Sequence, residues 1–179
     1  SGLLVFGKGS TLEIKGQLGN GNGITNNSTL TIGNGTKDST IGYYNGGATI
    51  KFTPVAGGND LDIPQLVLKE QVIFKELTTP TVADGKINFD LNTGNLLSSN
   101  IETLKRLDHT LISAEGNSNQ LKPILDALGL NATDSTELVI DSDFVKGIKI
   151  IFDDTNKALK LQGGDDVSII TTVKEAYSD

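Results

Sequence analysis

The sequence predicts a mainly β fold: a parallel β-solenoid over residues 1–97, with an α+β unit over 98–179 inserted in it or capping it. Three observations lead there. Ser10-Thr11-Leu12-Glu13-Ile14 returns as Ser28-Thr29-Leu30-Thr31-Ile32 and again as Ala48-Thr49-Ile50-Lys51-Phe52, at spacings of 18 and 20 residues. Each copy alternates apolar with polar, the period of a half-buried strand. Turn formers separate the copies: Gly19-Asn20-Gly21-Asn22-Gly23, Gly33-Asn34-Gly35 and Asn45-Gly46-Gly47. A strand recurring at coil-length intervals reads as stacked coils. Beyond Ser99 the period of the apolar residues changes from that of a strand to that of a helix.

In chain order, Leu3-Leu4-Val5-Phe6 is a short apolar strand, and the three phrases follow. Stacked in parallel they would form one ladder, with Leu12, Ile14, Leu30, Ile32, Ile50 and Phe52 pointing inward. Thr11, Glu13, Thr29, Thr31, Thr49 and Lys51 would then point out. Antiparallel hairpins are the other arrangement open to this stretch, because Asn20-Gly21, Asn22-Gly23 and Asn34-Gly35 are hairpin signals. Gln65–Lys69 and Val72–Lys75 are further β segments. Lys86–Leu91 puts Ile87, Phe89 and Leu91 on one face, and Pro64 and Pro80 mark corners, since proline gives no N–H to a ladder.

Ser99-Asn100-Ile101-Glu102 has the form of a capping box. Ile101, Leu104, Leu107 and Leu111 follow as one helical stripe. Gly116–Asn119 breaks it, and Leu121, Ile124, Leu125 and Leu128 make a second stripe. Pro123 falls in its first turn and Gly129 at its stop. Together these predict an αα-hairpin. Strands return at Glu137–Ile140, at Ile148–Phe152 with Ala158–Leu161 as a β-hairpin, and at Val167–Val173.

Composition narrows the chemistry. The 179 residues include no Cys, Met or Trp, so neither a disulfide framework nor a thiolate metal site is available. Residues 1–60 carry a net charge of +1 and 14 of the 21 glycines, whereas residues 61–179 carry −8. An acidic chain without a basic patch is a poor binder of phosphate backbones, so nucleic acid is not an expected partner. No apolar run approaches the roughly 18 residues of a membrane span, and membrane insertion is not expected. The Ser1-Gly2 start suggests a processed chain or a fragment.

His109 is the only histidine, which excludes H-E-x-x-H and other His-cluster metal sites. Asp108, His109 and Ser113 could form a Ser-His-Asp site, but no G-x-S-x-G elbow accompanies them, and a surface helix histidine is the plainer reading. Glycoside hydrolysis needs two carboxylates about 5–9.5 Å apart. The first 60 residues offer only Glu13, Asp38 and Asp60. Asp141, Asp143, Asp153, Asp154, Asp165 and Asp166 crowd where hairpin turns are expected, and read as solvated turn residues. Gly57-Gly58-Asn59-Asp60-Leu61-Asp62 and Gly163-Gly164-Asp165-Asp166 approach the calcium nonapeptide G-G-x-G-x-D-x-U-x without tandem repetition. Asp141-Ser142-Asp143 is at most a weak ion site. The N-x-[ST] matches at Asn26, Asn27, Asn34 and Asn131 arise from composition. The expectation is therefore no catalytic, cofactor-binding or metal-ligating residue, and no cofactor.

The S-T-L-x-I phrases with G-N-G turns, at Gly9–Ile14 and Asn27–Gly35, resemble passenger domains of bacterial autotransporters. Their Asn, Ile and Lys richness is similar to the rickettsial surface cell antigen family. The resemblance covers roughly residues 7–97. It implies a right-handed parallel β-helix exported across the outer membrane and displayed on the cell surface as a virulence-associated adhesin. Its partner would be a host cell-surface protein or glycan. The stretch from 98 on departs from the pattern, as inserted functional subdomains of the family do. A non-enzymatic adhesin fragment is the expected function. The alternatives are a β-helical polysaccharide-processing enzyme, with acids of 137–166 as catalysts, and a purely structural spacer.

Overall fold

The computed structural model describes residues 3–7, 9–18, 28–35, 39–43, 48–70, 72–77, 87–114, 121, 135–137, 145–153 and 155–169. The fold is mainly β, in several small parallel and mixed sheets. The strands of the first part visit three sheets in rotation. A first circuit holds β1 (Leu3–Phe6), β2 (Thr11–Lys15) and β3 (Thr29–Ile32). A second holds β4 (Ser39–Tyr43) and β5 (Thr49–Thr53), the small hairpin β6 (Val55–Gly57) and β7 (Asp60–Asp62), then β8 (Gln65–Leu68). The third holds β9 (Val72–Glu76), β10 (Asn88–Leu91), a 3-10 turn at Thr93–Ser98, the helix α1 (Ile101–Lys105) and β11 (Asp108–Ala114). The sheets are then β1-β4-β9, β2-β5-β10 and β3-β8-β11, every pair parallel.

The alternation of the phrases sets the inward side chains as expected. Ile14, Ile50, Phe52, Leu66 and Leu68 are buried, and Leu12, Leu30, Ile32, Phe89 and Leu91 pack against them. Thr11, Glu13, Thr29 and Thr31 are exposed. Each fully buried Leu or Ile contributes about 1.5–3 kcal/mol, so the second circuit is the heart of the apolar core.

The single ladder through all three phrases is not what forms. Leu12 and Ile14 stand beside Ile50 and Phe52, while Leu30 and Ile32 stand beside Leu66 and Leu68 in a different sheet. The 18- and 20-residue intervals are steps between faces. Partners in neighbouring strands lie 33 residues apart at Thr40↔Ile73 and 46 apart at Leu66↔Ile112. An alternating phrase buries its odd or even set whichever sheet it joins, so the phrase carries no label for its face.

The αα-hairpin is also corrected. Among the described residues there is one short α-helix, and its cap is Asn100, whose side chain accepts the Glu102 N–H at 2.8 Å. Ser99 is buried and its backbone bridges to Gly58 instead. The stripe through Leu107 and Leu111 is strand: β11 lies between β8 and an antiparallel partner, with a register irregularity between Thr110 and Ile112. That bulge leaves Leu111 and Ile112 both buried and imitates helical spacing. Of the second expected helix, only the buried Leu121 lies among the described residues.

The last part is antiparallel. After β12 (Ser135–Glu137) and β13 (Val145–Lys146), β14 (Lys149–Asp153) and β15 (Ala158–Gln162) form the expected hairpin. β15 pairs with β11, β12 with β14, and β16 (Ser168–Ile169) with β13. The sheet of β3 and β8 thus continues into this hairpin through β11, beyond residue 98. Gly163 seats the hairpin's end on the third circuit: its N–H donates to the Leu107 carbonyl at 2.8 Å. A Cβ at Gly163 would come within 1.9 Å of the Leu104 carbonyl oxygen.

Candidate functional site

Where the chain turns from the β2-β5-β10 sheet into the β3-β8-β11 sheet, the turns of successive circuits lie against one another. Gly16 N–H donates to the Thr53 carbonyl at 2.9 Å, and Asn95 Nδ2 donates to the Pro54 carbonyl at 2.8 Å. The second-circuit turn is the β6–β7 hairpin, whose two-residue loop has Gly58 at φ +65°, a conformation that favours glycine. Gly57–Asp62 is thus a tight hairpin. The Gly58 carbonyl accepts from Asn100 N–H at 2.9 Å and the Asn59 carbonyl from Thr103 Oγ1 at 3.0 Å, fixing α1 over the hairpin.

Between hairpin and helix opens a cleft of about 390 Å³, within the size range of small-molecule sites. Leu61, Ile63 and Leu107 give it apolar walls, and Asn59, Thr103, Arg106, Asp108 and His109 give polar groups. Arg106 is exposed there. The ion pairs nearby, Lys105–Glu102 at 3.7 Å and Lys160–Asp108 at 3.1 Å, do not use it. Lys160, together with Gln162 Nε2 at 3.2 Å, holds the Asp108 carboxyl below its ordinary range.

His109 sits on β11 and not on a helix. Its Nε2 lies 3.4 Å from the Pro64 carbonyl, a long contact in which only the ring N–H can donate. Burial pushes the imidazole below its ordinary value, opposed by that carbonyl and by the charges of Asp62 and Asp108. Asp62 is fully buried beneath it. One Asp62 oxygen accepts the Gln17 N–H and the other has no hydrogen-bond partner. Burial pushes this carboxyl up, against the Gln17 bond and the His109 charge.

The corner beyond β8 has its own buried carboxylate. Glu70 accepts from Ser39 Oγ and from Asn34 N–H at 3.1 Å, tying the turn after β8 to the one after β3. Gly33, at φ +92°, leaves room for it: a Cβ there would fall 2.3 Å from Glu70 Cγ.

The triad considered from sequence does not assemble. Asp108 and His109 are successive residues of a strand, and Ser113 lies roughly 13 Å further along it. Asp153 accepts from Asn156 N–H at 3.1 Å and Nδ2 at 2.7 Å, which makes it a turn former whose carboxyl is held low by Asn156. Asp165 and Asp166 occupy the turn before β16. Asp141, Asp143 and Asp154 lie outside the described residues. Among the described residues no three His, Cys, Asp or Glu gather as metal ligands, and no helix is long and apolar enough to cross a membrane.

Sequence reasoning passed over Arg106 and Glu70, and met Asp62 only as the end of the Gly57–Asp62 stretch. The one available signal was an acid set against an apolar strand, as in Leu61-Asp62-Ile63 and Leu68-Lys69-Glu70. No family model, no curated protein and no solved structure matches the chain.

Proposed function

We propose that this chain is a non-enzymatic fragment of a bacterial surface adhesin of the autotransporter-passenger type, with its three-sheet winding a right-handed parallel β-helix. The observation that carries the reading is the rotation of the strands from β1 to β11, the β6–β7 hairpin aside, through three sheets in which their mutual pairs are all parallel. Right-handed connection is the rule between parallel strands of one sheet. The partner, a host cell-surface protein or glycan, docks at the cleft over the β6–β7 hairpin, where the exposed Arg106 offers donors beside the apolar Leu61, Ile63 and Leu107.

A non-catalytic role is in keeping with Asp108 being the one lining carboxylate among the described residues, already engaged by Lys160 and Gln162. Two free acids would be needed for glycoside hydrolysis. The reading is tested by measuring attachment of the purified chain to cultured host cells and to an immobilised glycan panel. Saturable attachment that falls at least about tenfold in Arg106→Ala, a loss of about 1.4 kcal/mol, is the expected result. Attachment no greater than that of an unrelated β protein of equal charge overturns it, as does turnover of any glycan on the panel.

A further inference from the structure

The cleft over the β6–β7 hairpin carries a cation that the described part of the protein does not use itself. Arg106 closes α1, and its backbone N–H donates to the Glu102 carbonyl at 3.3 Å. The next N–H, of Leu107, donates to the Leu104 carbonyl at 3.2 Å, so the backbone is held on both sides of the residue. Arg106 is exposed at the cleft, and its guanidinium has no ion pair among the described residues. The lining carboxylate, Asp108, is engaged by Lys160 at 3.1 Å. Arg106, Lys160 and Asp108 therefore sum to a positive charge within a half of the chain whose net is −8. Asp62 is fully buried and does not line the cleft. Beside the cation, Leu61, Ile63 and Leu107 offer apolar surface, and Thr103 and Asn59 offer a hydroxyl and an amide. Thr103 Oγ1 spends its proton on the Asn59 carbonyl at 3.0 Å, so its oxygen still accepts.

We propose that the cleft takes an acidic sugar, the carboxylate-bearing terminal residue of a glycan, with its carboxylate on the Arg106 guanidinium. This rests on the reading of the cleft as the docking site. A guanidinium presents a planar fork of donors that matches the two oxygens of a carboxylate. The sugar ring supplies the rest of the match, with C–H faces for Leu61, Ile63 and Leu107 and hydroxyls for Thr103 and Asn59. The volume of about 390 Å³ is near the lower end of small-molecule sites, which suits a terminal residue better than a length of chain. A heavily sulfated glycan is disfavoured, because a lone free cation does not offset repulsion from the surrounding half of net −8. A peptide carboxylate would meet the same fork but brings no array of hydroxyls to Thr103 and Asn59.

The test is titration of the isotope-labelled full chain, followed by NMR, with methyl glucuronide and a methyl sialoside. Their uncharged amides, a sulfated glucose and N-acetyl-dialanine, a peptide acid of equal charge, are the comparisons. At least one acidic sugar is expected to bind about tenfold or more tightly than its own amide, the sulfate and the peptide, as a charged hydrogen-bonded pair allows. Arg106→Ala should bring that sugar down to the level of its amide, and Arg106→Lys, which keeps the charge without the fork, should recover only part. Arg106 is exposed, so the fold tolerates both changes, and circular dichroism verifies it. Acids and amides that bind alike overturn the proposal, as does a sulfate or peptide that binds as tightly as the sugars. So does a preference that survives Arg106→Ala, or binding by none of the probes. Any of these results beside Arg106-dependent attachment to host cells overturns the acidic sugar alone and leaves the cleft as the docking site. An acidic sugar held by Arg106 without attachment to cells overturns the adhesin reading alone.

Discussion

The parallel stack of residues 3–114 and the antiparallel hairpin of β14 and β15 satisfy their backbones at different ranges. In the hairpin, partners are as close as Asp153↔Ala158, and the turn that joins them is closed by Asp153 and Asn156 on its surface. In the stack, apart from the small β6–β7 hairpin, no described strand pairs with the next strand of its own circuit, and the parallel partners lie at least 33 residues apart. The hairpin's order comes from local turn chemistry. The stack's order comes from burial, and its corners hold carboxylates in the interior. Parts whose partners are distant should therefore fail hardest when one buried group is removed.

The largest effect is expected at the centre of the stack. Ile50→Ala should cost about 2–5 kcal/mol, as buried aliphatic truncations do, while Leu12→Ala in the partly open first circuit should cost less than half as much. Urea unfolding midpoints of the two variants measure the difference, and equal losses would show that the first circuit is as closed as the second. Next comes the contrast between acid-bearing turns. Ser39→Ala removes a donor from buried Glu70 and should cost about 1–3 kcal/mol. Asn156→Ala, at the exposed hairpin turn, should stay within about 0.5 kcal/mol. Thermal melts of both give the comparison, and a larger loss in the hairpin would reverse it. At the junction of the two regions, Asn100→Ala should cost about 1 kcal/mol through the lost helix cap, read by the same melts.

The smallest effect is one of pH. The folded value of His109 lies below its unfolded value of about 6.5. As pH falls through that value the unfolded chain takes up the proton first, so stability from this group is whole above it and declines below it. Asp62 acts with the opposite sign: its raised value gives stability that is full below the unfolded carboxyl value and is lost as pH rises through the folded one. Replacing His109 by Gln should flatten the loss of urea midpoint between about pH 7.5 and about pH 5.5. An unchanged slope would locate that loss elsewhere.

What could be read from the sequence follows the same division. The β14–β15 hairpin was legible because its two alternating runs and its turn are contiguous, and so was the inward phase of Leu12, Ile14, Ile50 and Phe52. Which sheet each phrase joins was not, since Ser28–Ile32 and Ala48–Phe52 alternate alike and lie on different faces. The helical reading of 101–111 failed after Lys105. Strand pairing on both sides of β11 outweighed local spacing, and a bulge at Leu111 supplied the misleading interval. At the candidate site, Asp153 was legible as a turn acid. The buried settings of Asp62 and Glu70 were not, because their donors at Gln17, Asn34 and Ser39 lie 31 to 45 residues away in the chain.

Hydrogen bonds in the three parallel sheets point from circuit to circuit, across the strands. A pull between the first and third circuits would load three rows of such bonds together, and they would share the tension. A pull at a chain end would peel β1 from β4 one bond at a time. With β15 bound along β11, the far end is clasped by chain running the other way. Among the described residues, tension along the stack is thus shared by three sheets, one of which is clasped at its β11 edge.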